Sequence, residues 1–513
     1  MRDVTAAPPI NRLAGLSQAV DEAQRTGLGD MDPATFREAA HALIDVLADY
    51  LADVERFDVF PPIEPGALRA TLPAEPPAAP EPLLGLLADI ERVVEPNMTH
   101  WQHPGFLAYF STTASAPGIL GEFATAVLGQ NPMLWRTSPV GTELEEVVVG
   151  WLRQALGLPE SFDGLFMDTA STSTLSALAA AREAAGLDAS ARGLASRDDT
   201  GAPIVYGSEE AHSSVERACM ILGIGRDGYR RIPTDETFAM RPDALAAAIA
   251  ADRAAGRRPI AVVATVGTTS STAVDPVPAI ADIAEREGLW LHVDGAYGGA
   301  MAIVPERRAA FAGWERADSI VVNPHKWLFT PLDASLLLTR RLDQLKAAFS
   351  LQPEYLRTLD RDRPVHDFNE YQPQLGRRMR ALKLWWILRY FGVDGISRRV
   401  DAHCRLAEDL AARIDADPDF ERLAPVRFGT VCLRWRPAAL AATASEPEVA
   451  ARLDRANERL MAAVNASGDV FLSHTRLRGV FTIRVAIGGL RTEARHVDRA
   501  WALLREHAAT LES

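Results

Sequence analysis

The chain has 513 residues, 48% of them hydrophobic and 24% charged, with a net charge of −14. That length predicts two to four structural units, and the acidic balance argues against nucleic acid or an anionic membrane as the main partner. Cys219, Cys404 and Cys432 are too few and too scattered for a disulfide framework or a zinc site.

No secretory leader pattern and no bilayer-length apolar run stand out, so a reducing cytoplasm is the expected compartment. Residues 1–30 read as a polar, loosely structured extension. Asp32-Pro33 then predicts a helix start, with Asp as N-cap and Pro in the first turn, running to about Val54. Pro61, Pro62, Pro65 and the Pro/Ala-rich stretch from Leu72 to Pro82 read as an extended arm. With so little core of its own, such an arm is expected to lie on a larger domain or on a second subunit.

Between about residues 100 and 390, short apolar runs end in small polar residues and are followed by helix-like runs. Gly164–Met167 leads into Asp168-Thr169-Ala170-Ser171-Thr172 and an Ala-rich helix to about Ala185. Ile204–Tyr206 leads into a helix over Glu209–Ile224, and Ile260–Val266 into Gly267-Thr268-Thr269. Leu289–Val293 leads into Asp294, and Ile320–Val322 into Asn323. Continuous apolar runs of this length suit strands buried on both faces, and their alternation with helices predicts a mainly parallel sheet. Ligands of such sheets gather at the carboxyl ends of the strands, where each of these polar clusters falls. After about residue 395 the character changes. A helix over Ser397–Ile414, strands over Val431–Trp435, Asp469–Leu472 and Val480–Val485, a helix over Glu446–Val464 and a last helix from Glu493 predict a smaller α+β domain.

Lysine is scarce. Of 54 Lys and Arg residues only Lys326, Lys346 and Lys383 are Lys. Arg stays protonated and cannot form an imine, whereas a buried Lys can lose its proton and attack a carbonyl. Lys326, in Asn323-Pro324-His325-Lys326-Trp327, is the one set in a chemical context; Lys346 reads as a surface charge. A Lys after one strand, a carboxylate leaving another and a polar loop opening a helix together suit pyridoxal 5′-phosphate. Its aldehyde needs the amine, its pyridine nitrogen a carboxylate, and its phosphate a helix N-terminus. Lys326, Asp294 and the Ala170-Ser171 loop fill these parts, and the flat imidazole of His212 is suited to cover one ring face. Taken singly, the Asp, the polar loop and the His each also fit an ordinary helix cap.

The chain resembles the group II pyridoxal-phosphate-dependent amino-acid decarboxylases, in particular the aromatic-L-amino-acid decarboxylases. The resemblance rests on Thr99-His100-Trp101-Gln102-His103-Pro104, Ser138–Glu145, Ala211–Ala218, Leu291–Tyr297, Asn323–Leu328 and Leu375-Gly376-Arg377-Arg378, in order and spacing. It implies fold type I of these enzymes, a mainly parallel seven-stranded sheet with flanking helices. An N-terminal helical arm over residues 31–100, a large cofactor domain over 101–392 and a small C-terminal α+β domain over 393–513 would complete it. It also implies an obligate homodimer with the arms wrapped on the partner, and no metal.

Residue by residue, the resemblance makes Lys326 the Schiff-base lysine and Asp294 the partner of the pyridinium nitrogen. His212 and Ala296 would take the two ring faces. Ala170, Ser171 and Asn323 would hold the phosphate, with His325 and Thr269 nearby. Tyr355, in Pro353-Glu354-Tyr355-Leu356, would be the catalytic-loop proton donor. Tyr109, Phe110 and Thr112 would line the substrate pocket. The chain departs from the aromatic-acid pattern at Ser111, Asp168, Thr172 and Met133-Leu134-Trp135. These changes bear on the substrate more than on the cofactor. The implied reaction is decarboxylation of an amino acid, most readily tryptophan, tyrosine, phenylalanine or dihydroxyphenylalanine, to an amine and carbon dioxide. An aldehyde synthase is the nearest alternative, but family members of that kind tend to lose the loop Tyr or the stacking His, and both stand here. A catalytically silent cofactor-binding homologue is a further one.

Overall fold

The computed structural model describes residues 17–195, 201–351 and 365–511, and Leu13. Its centre is a seven-stranded sheet. In chain order the strands are β1 (Asp163–Met167), β2 (Pro203–Ser208), β3 (Tyr229–Ile232), β4 (Arg258–Thr265), β5 (Trp290–Asp294), β6 (Ser319–Val322) and β7 (Ser335–Thr339). They lie in the order β1-β7-β6-β5-β4-β2-β3. Neighbours from β6 to β3 run parallel, and β7 alone is reversed, pairing antiparallel with both β1 and β6.

The apolar runs are continuous because both faces are covered. Along β4, Val262 and Ala264 enter one core and Ala261 and Val263 the other; along β7, Leu336 and Leu338 face one core and Leu337 the opposite one. Helix Ala170–Ala184 covers one face and helix Val277–Glu287 the other. A second sheet, β8 (Phe420–Arg422), β9 (Thr430–Trp435), β10 (Ser473–Leu477) and β11 (Val480–Ala486), is antiparallel in the order β10-β11-β9-β8. Helices Pro447–Asn465 and Ala494–Leu511 share a separate core with it.

Several expected elements sit elsewhere. The helix expected from Glu209 starts at Ser213, because residues 209–211 turn out of β2 and His212 caps the helix. The strand expected over Asp469–Leu472 begins at Ser473; Phe471 makes only an isolated bridge to Phe106. The helix expected from Ser397 is the second half of a longer element, Ala381–Ala416, kinked at Gly392 (φ 68°, ψ 160°). A left-handed φ of that size suits Gly, which has no Cβ to clash. Two strands of the seven-stranded sheet were not foreseen, nor was the short β8 of the second sheet. β3 carries two arginines and buries only Ile232, and β7 follows Lys326 with no helix between them that would mark a strand–helix unit.

At the N-terminal end, Asp32 caps helix Pro33–Ala52 by accepting from the Ala34 and Thr35 amides at 2.9 and 3.1 Å. One side of that helix buries Ala39, Ala42, Val46 and Tyr50, while Phe36, Ile44 and Leu47 are exposed. Residues 72–82 form no helix or strand and are almost wholly exposed. Among the described residues no helix is long and apolar enough to cross a membrane.

Buried imidazoles give the fold a pH dependence. His292 pairs through Nδ1 with Ser319 Oγ at 2.9 Å, and His403 Nδ1 accepts the Trp327 indole N–H at 3.0 Å. Burial pushes both pKa values down to about 4. The unfolded chain therefore takes up protons near pH 6.5 that the folded chain refuses until about pH 4. Stability is full above the unfolded value and falls with pH across that window, by up to about 3 kcal/mol per imidazole. The urea midpoint is expected to drop steadily from pH 6.5 to 4; a flat midpoint over that range would contradict neutral burial.

Candidate active site

The polar residues singled out in the sequence leave neighbouring strands at the same edge of the sheet. Asp294 ends β5 and is 4% exposed. Its Oδ1 accepts the Ala296 N–H at 3.0 Å, which curls the chain so that Ala296 is buried beside it. Asn323 follows β6, donates its backbone N–H to the Ala296 carbonyl at 3.1 Å, and starts the helical turn Pro324–Trp327 that carries Lys326. Main-chain pairing thus fixes the Asp294 and Lys326 loops to each other.

Lys326 is only partly accessible, and burial lowers its pKa while Asp294 pulls the other way. Among the described residues its ammonium has no carboxylate within ion-pair distance; its Nζ instead lies 5.3 Å from the centre of the Phe110 ring. A desolvated amine facing an aromatic wall is held toward the neutral, nucleophilic form. His325 differs. It is buried, its Nδ1 accepts the Ala334 N–H at 2.9 Å, and burial with Lys326 beside it pushes its pKa down to about 3. It is a neutral brace for the lysine turn.

His212 caps helix Ser213–Ile221. Its Nδ1 accepts the Ser214 N–H at 3.2 Å and lies 2.8 Å from Ser214 Oγ. Accepting at Nδ1 puts the ring proton on Nε2. Partial burial, with Lys326 acting in the same direction and Asp294 against it, lowers its pKa and favours that neutral form. Helix Ala170–Ala184 begins at Thr169 with no side-chain cap, which leaves the Ala170 and Ser171 amides free for an anion. Asn323 Oδ1 is buried without a partner. Thr269, on the loop after β4, is exposed, whereas Thr268 is buried and bonded to the Ala273 N–H.

Of the three expected substrate contacts, Phe110 is the one beside Lys326. It opens a stack through Tyr297 (3.7 Å between centroids) to Trp327 (4.7 Å). Tyr109 is 54% exposed and stacks on Trp101, and Thr112 is half-buried. Tyr355 lies outside the described residues.

Arg484, on β11, was not singled out in the sequence. It is 4% exposed, with its guanidinium 5.3 Å from the centre of the Phe110 ring, the ring that Lys326 also faces. Nε donates to the Ser270 carbonyl at 2.9 Å and Nη1 to Ser473 Oγ at 3.1 Å, while Nη2 is buried without a partner. No carboxylate neutralises it among the described residues. The available signal was a lone cation inside the apolar run Val480–Ala486.

These residues fit pyridoxal phosphate: a lysine amine without an ion partner among the described residues, a carboxylate at the end of the neighbouring strand, an uncapped helix start and an unpaired amide oxygen. The family model of the pyridoxal-dependent decarboxylase conserved domain matches residues 65–436. The chain is 39% identical over 490 residues to tryptophan decarboxylase 2 of Oryza sativa subsp. japonica, covering 94% of this chain and 96% of that protein. It is 38% identical over 492 residues to a phenylacetaldehyde synthase of a Rosa hybrid cultivar, covering 94% and 96%. A solved structure of Oryza sativa TDC with PLP and tryptamine superposes with a TM-score of 0.90 at 36% identity, covering 95% of this chain and 100% of that one. The 4-hydroxyphenylacetaldehyde synthase of Rhodiola rosea gives 0.86 at 32% identity, covering 94% and 100%.

Proposed function

The chain belongs to the pyridoxal-dependent decarboxylase family, and from that premise we propose that it removes the α-carboxylate of an aromatic L-amino acid and releases the amine. The observation that carries the reading is the Lys326 amine, desolvated and without an ion partner among the described residues, with the Asp294 carboxylate at the end of the neighbouring strand. When bound, pyridoxal phosphate supplies an electron sink for the pair left behind as carbon dioxide departs.

The protein's own residues do the rest. Lys326 would hold the cofactor through its aldehyde. Asp294 would set a negative charge against the pyridine nitrogen. His212, bonded to Ser214, and Ala296 would lie against the ring. The Ala170 and Ser171 amides and Asn323 would hold the phosphate. Tyr355 would supply a proton to the substrate carbon.

Arg484 has a buried donor to spare and no counterion among the described residues, so it would orient the substrate carboxylate over the Phe110 wall. Arg484→Met is expected to raise the KM for the amino acid about tenfold or more, with a smaller fall in kcat. A purely structural role would lower the melting temperature and leave KM where it was.

The second reading, an aldehyde synthase, is favoured by the 38% identity to the rose enzyme. Against it stand His212 and Tyr355, the two residues whose replacement marks that chemistry in the family. The substrate class is tested by offering L-tryptophan, L-tyrosine, L-phenylalanine, L-dihydroxyphenylalanine and L-glutamate separately to the holoenzyme. Carbon dioxide is expected from at least one aromatic acid and not from glutamate; release from glutamate alone would overturn the aromatic assignment.

The same reading makes the protein a homodimer. Phe36, Ile44 and Leu47 on the N-terminal helix are exposed, as are Leu120, Phe123 and Val127 on helix Ala116–Leu128. Three exposed apolar side chains on each of two helices suit burial against a second copy. Sedimentation equilibrium is expected to give twice the 55.7 kDa chain mass; a monomer at micromolar concentration would contradict it.

A further inference from the structure

Phe110, Tyr297, Trp327 and His403 form a column of nearly parallel rings. Phe110 lies on Tyr297 with ring centres 3.7 Å apart and planes inclined by 13°. Tyr297 lies on Trp327 at 4.7 Å and 7°, and Trp327 on His403 at 6.3 Å and 6°. The column runs from the segment before helix Ala116–Leu128, through the loop after β5 and the Lys326 turn, to helix Ala381–Ala416. Phe110 is half-buried, whereas Tyr297, Trp327 and His403 are buried.

The inner part of the column is fixed from several sides. Trp327 donates its indole N–H to His403 Nδ1 at 3.0 Å. Phe428, wholly buried, meets Tyr297 and Trp327 edge-on at 6.3 and 6.5 Å. Gly429, just before β9, passes so close that a Cβ there would lie 3.1 Å from both the Tyr297 hydroxyl and the Trp327 ring. Packing this close holds the Tyr297 and Trp327 rings in place. Phe110 is held differently. Tyr297 covers one of its faces, and the Lys326 amine and the Arg484 guanidinium each stand 5.3 Å from its centre. The position of the wall facing both cations is therefore set by the ring behind it.

We propose that Tyr297 is a positioning residue for substrate binding. It does not touch the substrate and acts by holding Phe110 flat at the depth where the substrate packs on it. The inference rests on the roles given to Phe110 and Arg484 under the proposed function. A stacked aromatic pair contributes beyond the area it buries, and a misplacement of about 1 Å within a site is costly. With an aliphatic side chain at position 297, Phe110 loses its parallel partner and can tilt.

Equilibrium dialysis of hydrocinnamate against the holoenzyme tests this. Hydrocinnamate carries an aromatic ring and a carboxylate but no amine. Tyr297→Leu is expected to weaken its binding about three- to tenfold and to raise the KM for the aromatic amino acid by a similar factor, with a smaller fall in kcat. Tyr297→Phe, which keeps the ring and drops the hydroxyl, should bind within about twofold of wild type. Phe110→Leu should weaken binding at least as much as Tyr297→Leu. Combining Phe110→Leu with Tyr297→Leu should weaken it no further than Phe110→Leu alone, because the ring that Tyr297 holds is then gone. The visible absorption of the bound cofactor should match wild type in both Tyr297 variants, which shows that they fold. Additive losses in the double variant, an equal loss in Tyr297→Phe, or a Tyr297→Leu protein that melts lower but binds hydrocinnamate as wild type does would overturn the proposal. Loss of the cofactor's absorption in Tyr297→Leu would overturn it as well. Hydrocinnamate cannot react, so its binding reads the wall separately from turnover. A holoenzyme that follows this binding pattern but releases no carbon dioxide would contradict the proposed reaction and leave the role of Tyr297 standing.

Discussion

Lys326→Ala is expected to lower carbon dioxide release by about a thousandfold or more, because it removes both the cofactor's anchor and the amine beside the reacting carbon. The same loss is expected for Lys326→Arg. Arg keeps the positive charge and much of the length, but it stays protonated and cannot form an imine. That pair of variants separates nucleophilic chemistry from charge. If Lys326 served only as a cation facing Phe110 at 5.3 Å, Arg would restore activity and Ala would not. Circular dichroism should show both variants folded, and both should lose the visible absorption of the wild-type holoenzyme. Turnover persisting undiminished in either would contradict the assignment.

The largest stability effect is expected at Arg377. Its side chain and that of Glu145 are both 0% exposed, and they pair at 2.6 Å. Arg377 also donates to the Phe166 carbonyl at 2.7 Å, and Glu145 accepts the Phe166 N–H at 2.8 Å. The pair therefore clamps the end of β1, just before the loop that opens the Ala170–Ala184 helix, to helix Pro139–Ala155. Arg377→Met leaves a carboxylate buried without its counterion, which costs about 3–5 kcal/mol. Replacing both, with Arg377→Met and Glu145→Leu, should cost less than Arg377→Met alone, because no charge is then stranded. Urea denaturation of the single and double variants reads this directly. A double variant less stable than the single would contradict this, and would show that the Glu145 bond to the Phe166 N–H outweighs the cost of the stranded carboxylate.

The strand ends that build the site were legible because each obeys a local rule. The apolar runs before Asp294 and Asn323 are long enough to need cover on both faces, and the polar residue after each marks where the run leaves the core. Lys326 stood out by rarity and context together. Lys346, read as a surface charge, is 45% exposed and pairs with Glu370 at 2.5 Å. Lys383 could not be read this way. It is 1% exposed and bonds Glu122 at 2.6 Å, a partner 261 positions away. Arg484 escaped for the same reason: its ligand, the Ser270 carbonyl, is 214 positions distant, and only the packing of the second sheet against the β4 loop brings them together. β7 went unseen because reversed strands without a helical crossover leave no alternation to detect. Local chemistry fixed by one strand and its next turn could be inferred, whereas groups whose meaning depends on a partner across the fold could not.

The fate of the substrate carbon is the central claim, and product stoichiometry tests it most directly. The holoenzyme is incubated with its preferred aromatic amino acid in air, and carbon dioxide, amine, aldehyde and hydrogen peroxide are measured together. Equimolar carbon dioxide and amine, with no peroxide, is the predicted result. Aldehyde and peroxide in step with carbon dioxide, or no carbon dioxide from any amino acid offered, would contradict it.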